Sequence, residues 1–249
     1  MPIRVALLAI ASGGQAYDDM KLVTREHLKS VPPELVVDAQ FVYGTPCTTT
    51  APTELDVVYD VKESLIPGIL HKTQRALERV LAPPEGGDAV DFVIRTNAST
   101  WFHWDRLAQF LATAPRTGLA AGYAPDQSHL CGCCIVMSPD VARKLARHDE
   151  YDHVIDDLAI AGALRHLGIA STWIPRIDIL EHGIVGHGDH MGLDPRHSFQ
   201  VRVKGCLGAD GPRARDPLIM ANLTAAYQRG VRDIDQLLRE SVRGVETLV

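Results

Sequence analysis

Two segments of the sequence place polar side chains where a buried element ends or begins. Asn97 and Ser99 close the apolar run 92–96, and the adjacent acids Asp156 and Asp157 precede an apolar helical pattern. Polar groups at the end of a buried strand commonly line a ligand site in an α/β sheet. A carboxylate at a helix start can serve as general base towards a hydroxyl, although first-turn acids also simply stabilise the helix. The sequence thus indicates ligand binding at the first segment and leaves both roles open at the second.

Asn97 and Ser99 are two residues apart, so on an extended backbone their side chains point the same way. Downstream, a stretch rich in Gly and His at 181–190 predicts a mobile lid. Loop histidines are usually only solvated, and that alternative stays open beside a metal site. The side chains that could take part in such a metal site are Glu181, His182, His187, Asp189 and His190.

The cysteines do not indicate a disulfide framework, because their number is odd and we expect a cytoplasmic chain. The group Cys131-Gly132-Cys133-Cys134 lacks the matching second half of a typical zinc motif. We therefore expect small residues that line a tight strand. The cysteines are Cys47, Cys131, Cys133, Cys134 and Cys206.

Composition excludes several classes of protein. The chain has 249 residues, 46% hydrophobic content and a net charge of −6, which argues against a nucleic-acid binder that needs a basic face. No apolar run approaches the roughly 18 residues of a membrane span. The apolar stretch 1–12 has a thin basic region and is short, so we interpret it as a buried first strand rather than a signal peptide. These features predict a cytoplasmic protein.

Hydrophobic patterns and turn residues predict strands that alternate with helices, which favours an α/β fold with a mostly parallel sheet. We expect one domain over 1–249, with 181–216 as a mobile Gly/His-rich active-site loop and 217–249 as a C-terminal helical segment. The predicted strands are 3–11, 35–43, 55–61, 91–100, 119–123, 131–137 and 170–174. The predicted helices are 17–28, 67–80, 104–112, 139–147 with Ser138 as N-cap, 155–167 and 217–242, and 83–88 is predicted as a loop.

The turn Ser12-Gly13-Gly14 after the first strand raises the possibility of dinucleotide binding. The spacing Gly-x-Gly-x-x-Gly is absent, and so is the phosphate loop that ends in Gly-Lys-Ser/Thr. The hydrolase elbow Gly-x-Ser-x-Gly is absent as well. None of these three motifs therefore explains the polar segments.

An ordered set of segments carries a resemblance to a known family. The segments are Asp60 to Thr73 with its acidic turn and Lys72-Thr73, Phe92 to Thr100, Leu130 to Ser138, Asp156 to Gly162, and His197 to Lys204. In this order they resemble GT-A-type glycosyltransferases, in particular the fringe-like and galactosyltransferase-like group and related short bacterial and viral enzymes. The resemblance spans about Ile3 to Tyr227, and it implies a GT-A-like, Rossmann-like sheet flanked by helices.

The resemblance implies transfer of a sugar from a nucleotide-sugar donor to an acceptor hydroxyl. In inverting members the second acid of the pair deprotonates the acceptor, which gives that role to Asp157, with Asp156 as the alternative. The end of the first strand, from Ala9 to Ser12, would hold the base and ribose, and Asp60 is suited to the same task. Lys72 would either reach a phosphate or remain a solvated helix lysine.

The resemblance also implies a departure at the metal site. Relatives that use a metal carry Asp-x-Asp where this chain has Asn97 and Ser99, and hard cations prefer charged oxygen ligands. We therefore expect inverting transfer without a metal, while Mn²⁺ or Mg²⁺ stays an alternative and the nucleotide sugar is the co-substrate. Cations would then stabilise the leaving diphosphate. The candidates are Arg95, Arg202, Lys204, Arg213 and Arg215; Lys204 is preferred, and Arg213 and Arg215 are expected to be solvated.

Acceptor or sugar contacts are expected from Trp101, Gly132, His182 and His187, although Trp101 could equally pack in the core. Two other functions remain open. One is a sugar-nucleotide-binding relative without catalysis, because Asp-x-Asp is missing. The other is a metal-dependent hydrolase that uses the histidines of 181–190. The nucleotide, the sugar, the acceptor and the oligomeric state do not follow from the sequence.

Overall fold

The computed structural model describes residues 1–82, 89–126, 129–148, 150–205, 213–243 and 245. The predicted loop at 83–88 and Cys206 lie outside the described residues. The strands are β1 (Ile3–Ile10), β2 (Leu35–Thr45), β3 (Asp56–Lys62), β4 (Phe92–Asn97), β5 (Thr100–Phe102), β6 (Ala120–Gly122), β7 (Cys134–Met137), β8 (Ser171–Trp173), β9 (Arg176–Leu180), β10 (Gly183–His187) and β11 (Gln200–Val203). The helices are α1 (Gln15–His27), α2 (Gly68–Val80), α3 (Trp104–Thr113), α4 (Pro139–Ala146), α5 (Asp156–His166), α6 (Asp216–Gln228) and α7 (Ile234–Val242).

A seven-stranded sheet in the order β3-β2-β1-β4-β7-β6-β8 forms the centre of the fold. The pairs β1–β2, β1–β4, β2–β3 and β6–β8 are parallel, and β7 runs antiparallel to both of its neighbours. Strand β1 is almost continuously apolar and buried, as expected for a parallel strand with both faces covered. The predicted α/β class with a mostly parallel central sheet is confirmed.

The strand order reverses at β1, and this reversal determines where a ligand crevice opens. The chain passes from β1 to β2 and β3 on one side, and then returns through α2 to β4 on the other side. Ligands of open α/β sheets bind outside the carboxyl ends of the strands at such a switch point. Here Ile10 and Asn97 are paired at the carboxyl ends of β1 and β4, so the crevice opens beside Asn97.

A second sheet, in the order β10-β9-β11-β5, has one apolar and one polar face. Val201 is paired with Ile177 and Trp101, and all three are buried in the core. Arg202, one residue later, is paired with Asp178 and Thr100. Successive residues of a strand point to opposite faces. The apolar face therefore packs on the core, and the polar face turns towards the segment 131–134, where the Thr100 hydroxyl donates to the Cys133 carbonyl.

The structure corrects two expectations about local conformation. Strand β4 ends at Asn97, and a turn at 98–99 leads into β5, so Asn97 and Ser99 do not continue one extended strand. The segment 181–216 had been predicted as a loop because its glycines weaken the periodicity, but it contains β10 and β11. The C-terminal segment holds α6 and α7. Within the described ranges, every helix is too short or too polar to span a bilayer.

Candidate functional site

Arg95 lies at the bottom of the crevice and is almost fully buried, with 2% of its surface exposed. Its Nη2 donates to the Asp156 carboxylate in the first turn of α5, and its Nη1 donates to the Gly132 carbonyl and, at 3.0 Å, to Asn97 Oδ1. A buried cation is tolerated only when it is paired and hydrogen-bonded. Burial raises the pKa of Asp156, and the Arg95 guanidinium acts in the opposite direction. Arg95 and Asp156 therefore satisfy each other inside the protein.

Lys72 forms a second buried pair, close to the ends of three strands. Its Nζ lies 2.7 Å from Glu63 Oε1 and 2.9 Å from the Ala11 carbonyl oxygen. Glu63 also accepts from the Gly44 backbone N–H at 2.8 Å. Burial lowers the pKa of Lys72, whereas Glu63 opposes that shift. Lys72 is thus a buried, paired lysine rather than a solvated one. Through Ala11 and Glu63 it contacts the segments that follow β1 and β3.

Glu63 is the residue of this pair that the sequence interpretation missed in favour of Asp60. Its position directly after β3, next to the polar turn, is the feature of the sequence that could have indicated its role. We call Lys72, Glu63, Arg95 and Asp156 the inner charge group.

Asp157 is oriented differently from the neighbouring Asp156. Its Oδ1 accepts from the Gly132 N–H at 2.8 Å, and its Oδ2 lies 3.3 Å from His129 Nε2. About a quarter of each side chain is exposed, 26% for Asp157 and 28% for His129. Asp157 therefore presents an oriented carboxylate oxygen at the surface of the site. We call His129, Asp157, Arg202 and Lys204 the outer group.

Gly132 is the residue that separates the two carboxylates. A Cβ at this position would overlap both the Arg95 guanidinium and the Asp157 carboxylate. Its carbonyl faces Arg95 and its N–H faces Asp157. Only glycine allows the backbone to pass between these groups. The structure places Gly132 beside the expected base, and the predicted contact with an acceptor remains a prediction.

The polar face of the second sheet supplies further charged groups. Arg176 Nη2 donates to Asp178 Oδ2 at 2.8 Å, and His187 Nε2 lies 3.1 Å from the same oxygen. The Arg176 guanidinium also lies over the Tyr123 ring, 4.2 Å from its centroid. Sequence interpretation missed both Arg176 and Asp178. Arg176 and Asp178 are two residues apart on β9, so both point away from the apolar face. This spacing is the feature of the sequence that could have indicated them.

Arg202 and Lys204 follow on the same side of β11. The buried Nε of Arg202 has no hydrogen-bond partner in the described part of the chain. Lys204 is exposed, and its pKa is lowered chiefly by Arg202, then by burial and by Arg213. Like charges held this close favour an anion between or beside them. The role of Lys204 as the diphosphate cation stays a prediction.

Arg213 is held in place, contrary to the expectation of a solvated side chain. It donates to Tyr17 Oη at 2.8 Å, to Asp216 Oδ2 at 2.7 Å and to the Val203 carbonyl at 3.0 Å. These acceptors come from α1, α6 and β11, so Arg213 joins three elements. Arg215 is half-buried beside the start of α6 and is likewise not a solvated side chain.

The other expected donor contacts are dispersed. Ala9 is buried against Phe41 on one face of the central sheet, and Ser12 is half-buried directly after β1. Ser99 is buried at the turn after β4, and its carbonyl accepts from the Val203 N–H at 2.9 Å. Asp60 is exposed on the edge strand β3, three strand positions or about 14 Å from β4. The structure therefore places Ser12 and Ser99 beside the crevice but separates Asp60 from it.

Trp101 lies in the core, and the two histidines His182 and His187 lie at opposite ends of β10. Trp101 is 1% exposed, and its ring stacks on the His27 ring with 4.7 Å between the two centroids. Trp101 therefore packs in the core, which was one of the two alternatives expected from the sequence. Its Nε1 donates to the α6 hydroxyl of Thr224. His182 lies exposed in the turn before β10, at the opposite end of that strand from His187. Asp189 is exposed, and the side chain of His190 lies outside the described residues.

Groups of metal-ligating atoms occur elsewhere in the described part of the chain. His129, Cys131 and Asp157 each offer a ligand atom, and these atoms lie within 4.8 Å of one another; His148, Glu150 and His166 form another such group.

The Asn97 position fits a divalent cation poorly, because Asn97 Oδ1 already accepts from Arg95 and the guanidinium would repel the ion. A divalent cation therefore does not suit the residues around Asn97.

Comparisons with known proteins do not identify a family for this chain. No protein-family model matches the chain, and no curated protein matches it. Among solved structures, the apo form of the glycosyltransferase GlyE from Streptococcus pneumoniae is similar, with a TM-score of 0.43 and 10% sequence identity. The match covers 100% of this chain and 64% of GlyE, so the chain spans under two thirds of that protein. A similarity this low says nothing of function.

Proposed function

We propose that the chain is a glycosyltransferase that moves a sugar from a nucleotide-diphosphate-sugar donor to an acceptor hydroxyl, with inversion and with Asp157 as the general base. One observation carries the proposal. The adjacent acids Asp156 and Asp157 have separate environments, one closed against Arg95 and the other open at the crevice. The ordered sequence segments described above support the same reaction class.

Asp157 meets the geometric needs of a general base. One carboxylate oxygen is fixed by the Gly132 N–H, while the other is shared only with the partly exposed His129 among the hydrogen bonds described. A base must come within hydrogen-bond reach of the attacking hydroxyl and must remain ionised at the working pH. The exposure of Asp157 gives an acceptor hydroxyl access to this oxygen. Asp156 lacks that access, because its carboxylate is directed at Arg95 inside the protein.

The donor diphosphate would lie between the crevice at Asn97 and the polar face of the second sheet. Arg202 and Lys204 would face its negative charge from β11. Fixed cations can stabilise the charge that develops on a leaving diphosphate. The proposal therefore assigns to side-chain cations the task that a divalent ion performs in Asp-x-Asp relatives, and the reaction should proceed in the presence of a chelator.

The test begins with a thermal-shift screen of nucleoside diphosphates and nucleotide sugars, because a ligand raises the apparent stability by mass action. The best donor is then assayed for release of nucleoside diphosphate with a panel of simple hydroxyl acceptors. Asp157→Asn should lower turnover by about 10²- to 10⁴-fold while donor affinity survives. The matched variant Asp156→Asn should chiefly reduce stability.

Each outcome of this test is decisive. Unchanged turnover in Asp157→Asn excludes that residue as base. Donor binding without transfer to any acceptor would assign the chain to the non-catalytic, sugar-nucleotide-binding class instead. If a chelator stops transfer and Mn²⁺ restores it, the metal-free version is wrong.

A further inference from the structure

Three different metal-ligating side chains converge at the rim of the crevice. A ring nitrogen of His129, Cys131 Sγ and a carboxylate oxygen of Asp157 lie within 4.8 Å of one another. His129 and Cys131 come from the segment before β7, and Asp157 comes from the first turn of α5. The Cys131 N–H donates to the Tyr123 carbonyl at 2.9 Å, which fixes the backbone at the thiol. The three groups thus come together on two anchored elements.

The donor set indicates which ion would fit. An imidazole nitrogen, a thiolate and a carboxylate oxygen are all common ligands of Zn²⁺, at about 2.0–2.3 Å from the ion. Mg²⁺ and Ca²⁺ prefer oxygen ligands and would gain little from the sulfur. Three protein ligands also leave the fourth tetrahedral position open to water or another small ligand. The chemistry therefore favours a zinc-type ion over the hard cations of phosphate chemistry.

The geometry of Asp157 is compatible with ligation by a single oxygen. Oδ1 is held by the Gly132 N–H, whereas Oδ2 is the oxygen that faces His129 at 3.3 Å. An ion between Oδ2 and Nε2 would replace this contact without breaking the bond to Gly132. The buried face of the site contains Cys131, which is 8% exposed, so the ion would lie at the boundary between solvent and interior.

We propose that His129, Cys131 and Asp157 bind one Zn²⁺ ion, and that zinc thereby inhibits transfer because it occupies the carboxylate oxygen that the acceptor needs. The inhibitory part rests on the proposed function, whereas the binding of the ion does not.

The group His148, Glu150 and His166 provides an internal comparison. Its Glu150 and His166 side chains are about half exposed, at 52% and 51%, and they are joined by a contact of 3.0 Å. This group contains no sulfur ligand. A spectroscopic signal from a metal–thiolate bond therefore separates the two sites.

The test is a titration of the full chain with Co²⁺, which takes the place of Zn²⁺ and gives a near-ultraviolet thiolate-to-cobalt band. We expect one Co²⁺ per chain with that band, and its displacement by Zn²⁺. Cys131→Ser should abolish the band, and His129→Gln should weaken binding at least tenfold. Cys47→Ser, which alters an exposed free cysteine, and His166→Ala should keep the band. Far-ultraviolet circular dichroism confirms that each variant folds.

The opposite results overturn the proposal. Absence of the band in the wild type, its persistence in Cys131→Ser, or its loss in Cys47→Ser would each exclude this site. In an active preparation, zinc should inhibit the wild type and lose its effect in Cys131→Ser. If the band appears as expected but no donor supports transfer, the proposed function fails and the metal site stands. If transfer occurs and zinc binds without inhibiting it, the inhibitory role is wrong.

Discussion

The inner charge group and the outer group both combine acidic with basic side chains, but they differ in burial and pairing. Lys72, Glu63, Arg95 and Asp156 are paired with one another, and three of the four are almost completely buried. The members of the outer group are partly exposed, and they retain capacity for further hydrogen bonds. Buried ion pairs cost much to break, whereas oriented, accessible charges can act on a ligand. The contrast gives the inner group a structural role, and it agrees with the proposal that the outer group acts on the ligands.

The contacts of the inner group explain how it can position the outer one. Lys72 and Glu63 bond to the backbone after β1 and within β2. Arg95 connects β4 to the Gly132 carbonyl and to the start of α5. Gly132 and α5 in turn carry the hydrogen bond that orients Asp157. Functional side chains need such fixed support if they are to keep their geometry.

The largest effect should follow from removal of the Arg95 charge. Arg95→Met leaves the Asp156 carboxylate buried without its partner, and we expect a loss of about 3–5 kcal/mol in the free energy of unfolding. Arg202→Met, in the outer group, should cost less than about 1 kcal/mol. Urea denaturation of both variants measures the difference.

A double variant distinguishes the pair from the packing around it. Arg95→Met combined with Asp156→Leu removes both charges and should recover part of the loss, because no unpaired carboxylate remains. Equal costs for Arg95→Met and Arg202→Met would show that the two groups do not differ in structural role, and the comparison would then fail.

A second prediction concerns the response of stability to acid, in which a buried histidine outside the inner charge group, His27, should outweigh Asp156. His27 is buried behind the second sheet, and burial lowers its pKa to about 4, although its bond to the Phe102 carbonyl opposes the shift. Between about pH 6.5 and 4 the unfolded chain binds the proton and the folded chain does not. Stability should therefore fall by about 3 kcal/mol as the pH drops through this window, and His27 should contribute no slope above it.

His27→Phe should flatten this part of the profile, as measured by denaturation at several pH values. The pKa of Asp156 is raised by burial, so its folded form takes up a proton first and its contribution has the opposite sign. A profile that is unchanged in His27→Phe would show that another group dominates the loss in acid.

The sequence predicted the sheet better than it predicted the site. Continuous apolar runs predicted β1 and β4, and the turn Ser138-Pro139 placed the start of α4 correctly. The strands β9 to β11 were largely missed, because each is only four or five residues long and the glycines in and around β10 weaken the pattern. Long-range contacts were the greater difficulty. Nothing in the local sequence indicates that Arg95 pairs with Asp156 while Asp157 binds Gly132 and His129, since that choice depends on how α5 meets β4.

The smallest predicted effect tests the anion contact of the outer group. Lys204→Ala should weaken binding of the nucleoside diphosphate that gives the largest thermal shift by about tenfold, which is about 1.4 kcal/mol. The dependence of this affinity on salt concentration should also become weaker, because the variant lacks an exposed charge that salt would screen. Lys144→Ala, an exposed lysine on α4, is the matched control and should leave the affinity unchanged. Titration calorimetry at two salt concentrations, with inorganic pyrophosphate as a second ligand, measures both quantities. If Lys204→Ala and Lys144→Ala behave alike, the diphosphate does not lie against β11. Only Asp157 and His129 of the outer group would then keep a proposed role at the site.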